Sequence, residues 1–158
     1  MASTERQILE RLKANCQAID GSGTYHYDFA TNPDAVILGM EPVGIAPRAP
    51  GIYMFTGPGN SSRDKARTPL NSFAREMTFQ INVWVPRTTE SAENGMLAAL
   101  DATSDVRRVI ELDPTCGGLV HDVEIDYLNF DGDLVELPGY GVASLRVTCN
   151  YHAVRGAQ

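Results

Sequence analysis

The residue types most able to do chemistry crowd into one stretch, DPTCGGLVHDVEIDYL at 113–128, which holds a cysteine, two glycines, a histidine and alternating carboxylates. Cys116 and His121 are the types that a cysteine enzyme uses as nucleophile and base, provided a cation, a helix N-terminus or a close base lowers the thiol pKa. Their setting argues against that use. Cys116 follows the end of a predicted helix, where the dipole is negative and acidic neighbours add to it, and both disfavour thiolate. His121 stands five residues further on, along a predicted strand that rises ~3.3 Å per residue, beyond local reach. The expected structure is a turn in which Gly117 and Gly118 reverse the chain from helix to strand, with His121 a partly buried strand residue.

The remaining motifs meet the same objection. His26, His121 and His152 fall on separate predicted strands and lack the spacing of a metal-binding motif. NFDGDLVEL at 129–137 places Asp131, Asp133 and Glu136 around Gly132. A calcium hand needs flanking helices, whereas these flanks read as strands and Asp-Gly favours a hairpin turn. TGPGNSSRDKART has glycines and cations but neither the phosphate-loop order nor a helix directly after it. No catalytic residue, metal ligand or cofactor site is expected.

The elements that would position these residues are legible from periodicity. Thr4 and Gln7 offer a capping box for a helix over 4–19, whose face is Ile8, Leu9, Leu12, Cys16 and Ile19. Short strands within 24–56 follow (TYHYDF, AVILG and GIYMFTG), with Tyr25, Tyr27 and Phe29 on one side and His26 outward. Residues 57–71 have no apolar period and read as a long loop or extended hairpin. The strand at 73–85 alternates Met77, Phe79, Ile81, Val83 and Val85 against Glu76, Thr78, Gln80, Asn82 and Trp84. A helix over 90–112 is capped by Thr88 or Thr89 and buries Met96, Leu97, Leu100, Val106, Val109 and Ile110. Strands at 118–128 and 142–154 complete the chain. The first sets Val123, Ile125 and Tyr127 against Asp122, Glu124 and Asp126. This order predicts one α+β domain, a mainly antiparallel sheet with two helices on one face.

Composition narrows the partners. The chain has 158 residues and a net charge of −7, a poor match to nucleic acid phosphates. The charge is segregated. Between Glu111 and Glu136 there are eight carboxylates and no lysine or arginine, whereas SSRDKART at 61–68 holds Arg63, Lys65 and Arg67. Such segregation can bring subunits into register, or can simply be two solvated surfaces. The three cysteines are widely spaced, which suits a reducing compartment rather than a disulfide framework. The N-terminal stretch has no apolar core of a signal peptide, and no apolar run is long enough for a membrane span.

Taken together, the element order, the strand REMTFQINVWVP, the helix SAENGMLAALDATSDVRRVIELDPT, the CGGLVHDVEI junction and the strand VASLRVTCNYHAV resemble the tail terminator (tail completion) proteins of long-tailed bacteriophages and phage-like particles. The similarity runs from the first helix to the last strand. It implies a virion structural protein of the neck, assembled in the host cytoplasm. Such proteins form a homo-hexameric ring that caps the tail tube, stops its polymerisation and meets the head-side connector or stopper, with the tail sheath a further neighbour. Genomic DNA passes through the channel without specific binding. Six copies at −7 carry −42, and an acidic lumen repels passing DNA. On that resemblance Arg63, Lys65 and Arg67 are expected to dock on the tube or a neighbouring subunit. Asp122, Glu124, Asp126, Asp131 and Asp133 are expected to face the channel or a subunit. Trp84 is expected as an interface anchor, or as part of a second small core. A different neck component and a small α+β enzyme or ligand-binding domain are the competing readings.

Overall fold

The computed structural model describes residues 2–39, 48–55, 62–67, 72–86, 92–131 and 139–154. They form helix α1 (Thr4–Gln17), a 3-10 turn (Pro33–Ala35), strands β1 (Val36–Leu38), β2 (Gly51–Phe55), β3 (Ser62–Arg67) and β4 (Ser72–Pro86), helix α2 (Ala92–Glu111), and strands β5 (Asp122–Asp131) and β6 (Tyr140–Val154). The sheet order is β1-β2-β4-β6-β5, with β3 also paired to β4. Only β1 and β2 run parallel; every other pairing is antiparallel. The fold is α+β, as expected, and both helices share a core with one face of the sheet.

β4 and β6 form the axis, paired from Ser72↔Val154 to Pro86↔Tyr140. Strict alternation fixes their register, because a slip of one residue would turn the apolar set to the other face. Met77, Phe79, Ile81, Val83 and Val85 are buried, opposite Cys149, Val147, Leu145, Ala143 and Gly141 of β6. The other face is polar. There Thr78 Oγ1 lies 3.3 Å from Thr148 Oγ1, and Asn82 Oδ1 accepts from Gln80 and Ser144, each at 2.8 Å.

Several expectations need correction, and one open alternative closes. Helix α1 is capped one residue early, by Ser3, whose side chain accepts from the Arg6 N–H at 3.3 Å. It ends at Gln17 rather than 19, although Ile19 stays buried and its carbonyl accepts from the N–H groups of Phe29 and Ala30. TYHYDF is not a strand: it has one bridge, Asp20↔Asp28, and backbone bonds from Tyr25 to Ser22 and from Phe29 to Ile19, while the N–H groups of His26 and Tyr27 go to a side chain described below. Within 57–71 the extended-hairpin alternative holds: residues 62–67 are strand β3, antiparallel to β4 from Ser62↔Met77 to Arg67↔Phe73, with a bulge between Asp64 and Ala66. A polar strand on an edge needs no apolar period to pair, since its bonds are backbone bonds; the rest of that stretch lies outside the described residues. Finally, β5 begins at Asp122 rather than 118. Cys116, Gly117 and Gly118 have φ of 48°, 68° and 88°, left-handed values that no strand contains.

Helix α2 spans Ala92–Glu111, inside the expected 90–112, but its buried stripe is phased differently. Met96 and Leu97 are exposed, whereas Gly95, Ala99, Ala102, Thr103, Val106 and Ile110 are buried. Leu97 lies nine residues before Val106, about two and a half turns, hence on the opposite face. Small residues set the phase by letting the helix approach the sheet closely. A Cβ built on Gly141 of β6 would lie 2.1 Å from the Gly95 carbonyl oxygen, a backbone atom that no side-chain rotation can move. Gly141→Ala is therefore expected to destabilise by about 1–3 kcal/mol or more, as overpacked cores do. Chemical denaturation of both proteins checks it, and an unchanged midpoint would show that α2 is not seated on β6 there.

Candidate functional site

The expected interaction residues lie on two opposite edges of the sheet. β3 pairs only with β4, and β5 only with β6, among the described residues. One row crosses the sheet from edge to edge: Arg63↔Glu76, Glu76↔Asn150, Asn150↔Asp122. The basic strand and the acidic strand therefore start and finish the same row. Asp122, Glu124 and Asp126 are exposed, while Val123 and Ile125 between them pack against the core. Alternation thus turns the three carboxylates to the helix-free face, where Asp126 stands opposite Arg146 and Glu124 opposite Thr148. Asp131 closes β5 in register with Val142. Asp133 lies outside the described residues. Tyr127 and Leu128 are also exposed on this edge, at a register shift between Tyr127 and Asn129.

Trp84 is on the same helix-free face, half-buried, with Tyr140 edge-on at 6.1 Å. Val142, its partner across the ladder, is 6% exposed, and Tyr53 on β2 is 3% exposed. The tryptophan belongs to a small aromatic cluster at one end of this face.

At the junction that opened the sequence reading, Cys116 and His121 part company. Cys116 is fully buried, and its neighbour is the equally buried Cys149, whose thiol is pushed upward by the hydrogen bond with Cys116 and by burial. Burial alone pushes Cys16 up to about 12. His121 is exposed rather than partly buried, and its ring meets His152 edge-on at 4.4 Å. The turn is held by Asp113, which accepts from the Gly117 N–H at 2.8 Å, Arg11 Nε at 2.8 Å and Asn15 at 3.1 Å. The Gly117 bond, then those of Asn15 and Arg11, keep its carboxyl below the usual range against the opposing effect of burial. Among the described residues no three histidine, cysteine or carboxylate side chains converge for a metal, and no helix is long and apolar enough to cross a membrane.

The structure adds a site that sequence reasoning missed. Asp105 of α2 is 1% exposed. Its Oδ2 accepts the backbone N–H of His26 at 2.8 Å and of Tyr27 at 2.9 Å, and its Oδ1 lies 3.0 Å from His26 Nδ1. This carboxylate does for 24–29 what a neighbouring strand would have done, which is why the segment stays out of the sheet. The hydrogen bond to Asp105 raises the His26 pKa above its ordinary value, against slight burial, with the charges of Asp105 and Asp101 adding to it. The His26 side chain is 51% exposed, so the dyad has a sealed end and an open end. One signal was available: with α2 phased on Ala102, Thr103 and Val106, Asp105 is a charged residue inside the buried stripe. Its partner, 79 residues earlier, has no local signature.

Neither models of known protein families nor curated proteins provide a match to the chain.

Proposed function

We propose that the chain is a tail terminator, a non-enzymatic virion subunit that closes head-to-tail into a hexameric ring on the end of the tail tube. The ring stops tube polymerisation, joins the tail to the head-side connector, and leaves a channel for the genome. The observation that carries this reading is the opposition of two sheet edges: basic β3 on one side and acidic β5 on the other, in one row. Head-to-tail rings need two different patches that complement each other on each subunit. Strand direction supports the same arrangement. Three successive antiparallel pairings separate β3 from β5, so the two run in opposite senses. Repeating the sheet sideways lays β3 of one copy antiparallel to β5 of the next, the pairing that edge strands accept most readily. Exposed Tyr127 and Leu128 on the acidic edge give that contact apolar area as well as charge.

The test is the tail itself. Particles assembled without this chain are expected to carry overlong tails that fail to join heads, and supplying the chain in trans restores one tail length. Tails of normal length and normal head attachment in its absence would refute the assignment.

A further inference from the structure

The open end of the His26–Asp105 dyad faces a groove of about 420 Å³ on the helix side of the molecule, walled by His26, Ser104, Arg107, Arg108, Glu111 and Tyr127. We propose that this groove binds a single carboxylate group, held between the Arg108 guanidinium and Nε2 of His26. The inference stands apart from the ring: the two groups that hold the ligand, Arg108 and His26, belong to neither charged edge, and Tyr127 is the one groove wall that the acidic edge shares.

The charges around the groove pair off and leave one cation over. His26 is bonded to Asp105 at 3.0 Å. Arg107 Nε is bonded to Glu111 at 2.7 Å, and its guanidinium lies 5.6 Å from the Tyr127 ring centroid. Arg108 lies over the Tyr25 ring at 5.8 Å and has no carboxylate partner among the described residues. A guanidinium laid on an aromatic face keeps its N–H edge free, and that edge matches the two oxygens of a carboxylate. His26 complements it: Nδ1 is committed to Asp105, which leaves Nε2 as the nitrogen able to donate to a ligand. Asp105 here is a positioning residue: it lines the groove floor but is 1% exposed, and both its oxygens are engaged by His26 and Tyr27. One unmatched positive charge suits a carboxylate better than a phosphate dianion, which Glu111 would repel. Asp101, one turn earlier on α2, is exposed and is not among the groove's walls, though its charge also favours the protonated His26 ring.

Binding is coupled to the protonation of His26. The charges that act on the ring are those of Asp105 and Asp101 on α2; Arg107, Arg108 and Glu111 of α2 and Tyr127 of β5 line the groove with it, and Tyr25 and Tyr27 flank it in the chain. A bound carboxylate adds one more negative neighbour to this set. It raises the His26 pKa further, and by reciprocity it binds more tightly as pH falls through that pKa.

The experiment follows the ring nitrogens of His26 by NMR in the full chain at constant ionic strength. Three probes are titrated separately: acetate, a blocked glutamate (N-acetyl, N-methylamide) and inorganic phosphate. A saturable shift of Nε2 with either carboxylate is expected, weakened about tenfold or more by Arg108→Gln, the loss of a charge-assisted hydrogen bond. Arg108 is exposed, so this variant keeps the fold, and an unchanged amide spectrum verifies that. Glu111→Gln should tighten both carboxylates by releasing Arg107. A better fit for blocked glutamate marks a polypeptide as the source, and a better fit for acetate marks a free small acid; both support the site. No saturable shift, the same affinity in Arg108→Gln, or tighter binding of phosphate than of either carboxylate overturns it.

Discussion

A chain carrying Arg63→Glu, Lys65→Glu and Arg67→Glu is expected to fold like the parent and to lose self-assembly almost entirely. The three positions lie on edge strand β3. In the proposed ring, that edge would face the Asp122, Glu124 and Asp126 edge of the next copy, so reversal would set carboxylate against carboxylate at every one of the contacts. Like-charge juxtaposition of this kind costs several kcal/mol per interface. Within one subunit the same charges contribute little, because exposed ion pairs are worth only about 0–1 kcal/mol; denaturation midpoints should therefore barely move. The converse variant, with Asp122→Lys, Glu124→Lys and Asp126→Lys, should fail alone in the same way. Mixed together, the two variants should assemble, because each acidic edge now meets a basic one, and six is an even number that alternation can close. Complementation of particles lacking the chain reads this out: overlong tails with either variant, tails of one length with both. If either variant alone gives normal tails, the opposed edges are not the contact. If the mixture fails while both variants are folded, charge is not what sets the register.

The contrast between what could and could not be read in the sequence follows from which forces act locally. Strand β4 was legible because burial of one face imposes alternation, and that pattern is written in consecutive residues. The α+β class followed from the order of such patterns. The stripe of α2 is legible in its second half, where Val106 and Ile110 are buried, but not in its first turns, where Met96 and Leu97 are exposed. Its actual contact is made by Gly95, Ala99 and Ala102, small residues that earn no hydrophobic score but permit close approach to β6. Strand β3 has no apolar signal, and ladder pairing through the backbone does not require one. The row that joins Arg63 to Asp122 depends on the register of three strand pairs, and no single segment encodes it. The charge segregation itself was visible; that the two signs sit on opposite edges of one sheet was not. The His26–Asp105 dyad is the extreme case: two residues 79 apart, each with a plausible mundane role, brought together by tertiary packing.

That dyad also carries the largest stability effect expected of a single substitution. Asp105→Ala removes the acceptor of two part-buried backbone N–H groups, those of His26 and Tyr27, and the partner of the half-exposed His26 ring nitrogen. Each orphaned buried donor costs about 1–3 kcal/mol, so a loss of about 2–5 kcal/mol is expected. For a domain of this size that lowers Tm by about 5–15 °C. The damage should be local at first, since the N–H groups of His26 and Tyr27 lose their acceptor while the sheet's ladder stays intact; amide exchange there should rise before the sheet's does. Asp105→Asn keeps one acceptor oxygen and should lose less. His26→Gln leaves both backbone bonds in place and should cost least, yet it removes a pH dependence. The folded His26 pKa lies above its unfolded value, because the hydrogen bond to Asp105 favours the charged ring. Its contribution is therefore present in full below the unfolded pKa of about 6.5, and is lost as pH rises through the folded value. Comparing denaturation midpoints between pH 5 and 8 separates the two roles of the carboxylate. The decline with rising pH should vanish in His26→Gln while most of the stability remains, and Asp105→Ala should lose both. A Tm of Asp105→Ala close to the parent's would mean that 24–29 is held by something other than this carboxylate. Persistence of the slope in His26→Gln would assign it to a different group.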